Sequence, residues 1–347
     1  MSGRQAHLVG SLPGADAEEA MRSALGQLGP LLPRLPDGET GDRRNWIIHI
    51  IESFGSHPDL ELVKRGDWSD YDRIPRLRIR KGHQLYGAGL DFGHVAAVEA
   101  SLPAFDRLSA EFGRDDLAYQ VGVPGDFDMA MFTLGPAAAL RHRRPFTEAT
   151  VSEIRRIHAI LGERAVFQLE LPAELVLLTR VPARGRPAAA RLIARRISAL
   201  AAGAAEGTRF GVHLCLGDMN HRALGRLSDA MPLVLLSNAL SAAWPRARPL
   251  EYVHAALAAA DRPPPLDPAF YAPLGRLRLP AQVRFVAGFA HEDQSLDDQL
   301  TIRSILDDRL DDRPGGPADI STACGLGRRS PAAAKAAMER IGELCVP

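Results

Sequence analysis

Short apolar runs alternate with longer stretches of helical period along the whole chain. Eight of the runs have the length and flanking turn residues of buried strands: "HLVGS" (7–11), "LPRLP" (32–36), "LAYQVGV" (117–123), "VFQLEL" (166–171), "RFGVHLCL" (209–216), "PLVLLS" (232–237), "VRFVAGF" (283–289) and "DISTA" (319–323). Helical periodicity covers residues 15–28, 46–54, 98–112, 128–141, 148–162, 187–205, 219–229, 249–260, 295–310 and 331–345. Strand-then-helix alternation predicts a parallel sheet. Eight strands predict a closed (β/α)8 TIM barrel rather than an open doubly wound sheet. Residues 57–93 depart from this rhythm, with alternating strand-like pieces and few helix formers, and predict an inserted hairpin between the second and third strands. A proline-rich loop is expected over residues 246–274, after the sixth strand. No linker composition divides the chain, so residues 1–347 are expected to form one domain.

Composition narrows the classes of function. Lysine plus arginine equals aspartate plus glutamate at 42 each, which argues against a nucleic-acid partner. The clusters "RLRIRK" (76–81) and "RHRRP" (141–145) are short enough to be solvated faces. The three cysteines, Cys215, Cys324 and Cys345, are odd in number and far apart, which fits a reducing cytoplasm better than a disulfide framework. The N-terminus carries no apolar signal segment, and no run is long and apolar enough to predict a membrane span.

In such barrels the active site lies at the C-terminal ends of the strands. The polar residues at or just past those ends are Gly10 and Ser11, Asp37 and Glu39, Asp126, Glu170, His213 and Cys215, Ser237 and Asn238, His291, and Cys324. His213 and Cys215 are two apart, so on a strand both face one point. Thiolate and imidazole are the usual zinc ligands, and Cys324 at the last strand end is a candidate third.

These segments resemble the catalytic C-terminal barrel of cobalamin-independent methionine synthase and its stand-alone relatives in the uroporphyrinogen decarboxylase-like superfamily. "VGSLP" is similar to that family's "IGSFP" substrate loop, and "DGETGDRRNWI" (37–47) to its "HGEPERNDMV" segment, with Glu39 at the amine-binding glutamate. "QLELPAE" (168–174) resembles "QIDEPAL", which places Glu170 on an acidic residue of the family, while Leu171 stands where a second acid is expected. "HLC" matches the family's H-x-C zinc motif, "CGL" (324–326) the segment with its last cysteine ligand, and His291 falls near a histidine proposed there as proton donor.

The resemblance implies Zn2+ held by His213, Cys215 and Cys324, with Gly10, Ser11, Asp37, Glu39 and Glu170 around a substrate and His291 as acid, while Asp126 is a further substrate-binding candidate by its strand-end position. The family's fourth ligand is a strand-six glutamate. Here that strand is read as "PLVLLSNALS", so Ser237 or Asn238 stands in its place, leaving a water, a substrate thiol or Asp218 to complete the site. The implied reaction moves a methyl or alkyl group, such as the N-methyl of a folate, to a homocysteine-like thiol, with a homodimer left open. Two other readings stay open: a decarboxylase or lyase working without zinc on the same barrel, and a binding protein that lost catalysis.

Overall fold

In a computed structural model, which describes residues 3–45 and 47–346, seven parallel strands form one curled, barrel-like sheet. Among the described residues the strands, in chain order, are Arg34–Pro36 (β1), Leu60–Lys64 (β2), Arg76–Ile79 (β3), Ala118–Pro124 (β4), Ala165–Glu170 (β5), Arg209–Leu214 (β6), Leu250–Ala256 (β7), Arg284–Ala290 (β8) and Asp319–Thr322 (β9). The large sheet runs β1-β4-β5-β6-β7-β8-β9, so each crossover carries the chain to the adjacent strand. Its strands read as near-continuous apolar runs because the helices cover them outside and the opposite wall covers them inside. Among the described residues no helix is long and apolar enough to cross a membrane.

Two expectations need correction. The run at 7–11 is not a strand: the chain makes one parallel bridge, Ala6 to Ile320, and leaves the sheet. It departs because the Ser11 carbonyl turns to accept from Leu326 N at 2.6 Å and Gly327 N at 3.0 Å, which fastens this segment to the loop after β9. The second correction concerns the sixth run. Residues 232–237 lie inside the helix Met231–Ala243, with Pro232 in its first turn, where a missing N–H costs nothing. The strand beside β6 is instead β7, in a segment whose alanine-rich pattern suggested a helix over 249–260.

β2 and β3 pair antiparallel as a separate two-stranded sheet. Leu60, Trp68, Leu77, Leu85, Leu90 and Phe92 bury against Phe127, Met129 and Phe146, forming a core distinct from that of the barrel. Full burial of side chains of this size stabilises by about 1.5–3 kcal/mol each. The small sheet is thereby held over the C-terminal end of the barrel.

Candidate metal centre

His213 is the last inward-facing residue of β6, and Cys215 follows just past the strand end; Cys324 lies two residues beyond β9. One ligand atom from each lies within 4.8 Å of the others, and His213 Nε2 is 4.0 Å from Cys324 Sγ. A tetrahedral zinc with Zn–S of about 2.3 Å and Zn–N of about 2.0 Å keeps its ligand atoms about 3.3–3.8 Å apart. A small inward movement therefore brings the three donors onto one ion, and the donor set fits zinc.

The neighbouring Cys324, with burial adding to the rise, pushes the Cys215 thiol well above the usual thiol range, and the same neighbour interaction draws Cys324 below it. Arg328 assists from 3.4 Å, through Nη2 to Cys324 Sγ, while its Nε donates to Asp218 Oδ2 at 3.0 Å. Asp218 thus anchors Arg328, and it is not one of the three converging ligands.

No fourth ligand comes from the residues expected to replace the glutamate. Ser237 is buried on the helix Met231–Ala243, and Asn238 on the same helix bonds the backbone of Arg276 and Arg278. What packs against Cys215 from β7 and just beyond is Ala256 and Ala258, together with Ala323. The three donors open onto a cavity whose wall also includes Ser11, Glu39, Glu170, Asp218 and Arg328.

Glu39 and Glu170 meet over Gly122, where an added Cβ would lie 2.7 Å from Glu39 Oε1 and 3.0 Å from Glu170 Oε1. Gly10 leaves room for the same Glu39 oxygen, with an added Cβ again 2.7 Å away. Glu39 adopts a left-handed backbone (φ 43°), held by its own N–H donating to Asp37 Oδ1 at 3.0 Å. Burial pushes both carboxyls up, Glu170 the further because the Glu39 charge and Cys324 add to it. Two buried acids with raised pKa values gain most from a cation placed between them.

The remaining candidates stand apart from the cluster. Asp37 is buried and holds Glu39 and Arg43, the latter at 2.5 Å, as a support rather than part of the cavity wall. Asp126 starts the helix Asp126–Leu134 and accepts from Thr147 and Arg143, away from the cavity. His291 is wholly buried beside Glu292, with Nδ1 accepting from Asp293 N at 3.2 Å, and does not line the cavity.

The cavity's other wall is apolar: Ile47, Ile48, Trp68, Ile74, Phe132 and Leu224, with the Tyr71 hydroxyl fixed between Met219 N and Arg222 O.

No protein-family profile matches this chain, and no curated protein matches it in sequence. Solved structures do match in shape. A B12-independent methionine synthase from Shewanella sp. W3-18-1 aligns over 99% of this chain and 97% of its own, with TM-score 0.60 and 14% identity. A methyltransferase from Methanosarcina mazei aligns over 99% and 94%, with TM-score 0.56 and 13% identity. A putative vitamin-B12 independent methionine synthase from Listeria monocytogenes aligns over 99% and 98%, with TM-score 0.50 and 11% identity. This chain has their fold.

Within that fold, several residues of the site escaped the sequence reading. His254 lies beside His213 in the β6–β7 register and bonds it, Nδ1 to Nδ1, at 2.7 Å. Burial drives its pKa down to about 4 and holds His213 well below the ordinary imidazole value. His254 was missed because β7 was read as helix. The prolines at 249 and 263–265 bound a segment that suits a short strand. Arg328 follows the "CGL" segment that marked Cys324, and that adjacency was the available signal. Beneath the site a buried chain runs from Arg34 Nη1 to His7 Nδ1 (3.3 Å), from His7 Nε2 to Gln168 Oε1 (3.0 Å), and from Gln168 Nε2 to Glu170 Oε1 (3.1 Å). It fixes which oxygen of Glu170 is left for the cavity.

Proposed function

We propose that the chain is a zinc-dependent methyl- or alkyltransferase acting on a small thiol acceptor of homocysteine type. The observation that carries this reading is the convergence of His213, Cys215 and Cys324 at the edge of a half-apolar cavity. A zinc ion held by these three residues would lower the pKa of an acceptor thiol and present it as the thiolate at neutral pH.

The chain's own groups supply the rest. Glu39 and Glu170 hold the acceptor's ammonium, which supplies the positive charge their burial lacks. Ser11, whose hydroxyl has no protein partner and lines the cavity, faces the acceptor's carboxylate with the backbone around Gly10. The apolar wall around Trp68 and Ile74 takes the body of the donor and keeps water from the thiolate. In the transfer the acceptor sulfur forms a bond to the methyl or alkyl carbon as that carbon's bond to the donor atom breaks. The leaving atom keeps the electron pair and takes a proton. His291 lies off the cavity wall, with Nδ1 accepting from Asp293 N at 3.2 Å and standing 3.8 Å from Glu292, so that proton is drawn from solvent at the cavity mouth. The donor's identity, a methylated folate among the candidates, is part of the proposal.

Metal analysis of purified protein tests the reading, followed by methylation assays with homocysteine and methylated folates. About one zinc per chain, lost in Cys215→Ser and Cys324→Ser, is expected. Folded wild-type protein that takes up no zinc would remove it. A second reading has one observation in its favour. The position facing Cys215 from β7 is alanine, so the buried Glu39 and Glu170, with the half-buried Arg328, could serve a zinc-free decarboxylase or lyase.

A further inference from the structure

We infer that His254 is a positioning residue of the metal centre, locking the tautomer of His213 and tying that ring to the loop that carries Cys324. The inference rests on the metal-centre reading above, but its hydrogen-bond logic concerns atoms of this chain alone.

The parallel register of β6 and β7 sets His213 beside His254, with ring centroids 4.6 Å apart. The contact is Nδ1 to Nδ1 at 2.7 Å, so one ring donates and the other accepts. The far nitrogen of His254 decides which. Its Nε2 lies 3.0 Å from the carbonyl oxygen of Thr322, and a carbonyl oxygen only accepts. The proton of His254 is therefore on Nε2. A neutral imidazole carries a single N–H, so His254 Nδ1 accepts and His213 donates from Nδ1. That leaves His213 Nε2 as a bare lone pair, and it is the nitrogen facing Cys324 Sγ at 4.0 Å. Metal-binding histidines depend on such a partner at the second nitrogen for tautomer and ring orientation. Here the partner is another imidazole, anchored to a third strand.

Two further features belong to the same device. Thr322 Oγ1 donates to the carbonyl oxygen of Cys324 at 2.7 Å, so the residue that receives His254 also shapes the turn of the cysteine ligand. β8 runs between β7 and β9, and Gly288 sits where the His254–Thr322 bond passes. A Cβ there would lie 2.7 Å from His254 Nε2 and 2.9 Å from Thr322 O. Glycine at 288 keeps that gap open.

The test compares zinc affinity by chelator competition in wild type, His254→Phe, His254→Gln and Gly288→Ala. It is paired with 15N histidine spectra of the metal-free wild type and His254→Phe. His254→Phe and Gly288→Ala are expected to bind zinc about 10–100-fold more weakly. His254→Gln is expected to recover most of the affinity, because its amide offers one acceptor and one donor in place of the two ring nitrogens. In metal-free wild type, His213 should read as protonated at Nδ1 and bare at Nε2, and His254→Phe should lose that preference. Unchanged zinc affinity in His254→Phe and Gly288→Ala overturns the inference, and so does His213 protonated at Nε2 in the wild type. Wild-type protein that binds no zinc yet shows the Nδ1–H tautomer supports the lock while defeating the zinc reading, so the two failures are distinct. If His254→Phe does not fold, Gly288→Ala and the wild-type spectrum still decide.

Discussion

The two walls of the cavity are built in opposite ways. On one side the ends of β6 and β9 carry His213 and Cys324, with His254 of β7 behind them, bonded to His213 and to the Thr322 carbonyl. On the other, Trp68, Tyr71 and Ile74 come from the segment joining β2 to β3, a small sheet with its own core. The barrel wall has donors, acceptors and charges at defined positions, as chemistry at one atom requires. The appended wall offers apolar surface, which decides size and shape of a ligand but not its reaction. Substitutions on the first wall should therefore strike metal binding and turnover, and substitutions on the second should strike recognition.

The largest effect expected is on the barrel wall. Cys324→Ser and Cys215→Ser should each lower zinc affinity by more than the about 10–100-fold that a supporting residue costs, with turnover lost in parallel. Chelator competition and a thiol-methylation assay check this. On the appended wall, Trp68→Leu should raise the donor's KM about fivefold with kcat within about twofold, the mark of binding shared by ground and transition states. A fall in kcat instead would place Trp68 in the chemistry and erase the contrast.

A smaller effect concerns pH. Burial raises Glu170 in the folded state above its unfolded value, with the Glu39 charge adding to the shift. The protonated form is thus favoured by folding, and its contribution to stability is full below the unfolded pKa and lost as pH rises through the folded one. Metal-free wild type should melt at falling temperature as pH rises, and Glu170→Gln should flatten that slope. Thermal melts across the pH range read it directly. The smallest effect is at Arg328. Cys324 is held low chiefly by the Cys215 thiol and only in part by Arg328, so Arg328→Gln should move the pH midpoint for alkylation of metal-free Cys324 modestly upward. A downward move would remove Arg328 from the account.

The contrast between the walls also separates what could be read in advance from what could not. His213, Cys215 and Cys324 were legible because ligand chemistry and strand spacing are local, and two residues apart on a strand means one face. Glu39 and Glu170 were legible by their place after apolar runs. Ser237 and Asn238 were misplaced because "PLVLLS" and "LEYVHAA" are both short apolar stretches, and periodicity alone does not separate a short strand from a buried helix segment. That one exchange hid His254 and put two helix residues beside the His213–Cys215 pair.

From the sequence alone came the alternating α/β order, a mostly parallel sheet, and the chemical types gathered at its strand ends, since apolar period and side-chain chemistry are properties of short segments. Only the tertiary structure decided that the sheet has seven strands and one bridge, that Asp126 and His291 lie off the cavity wall, and that alanines face Cys215 from β7. Those facts follow from pairing between segments distant in sequence. Which strand lies beside β6 determines what stands next to His213, and neither strand encodes that choice in its own pattern.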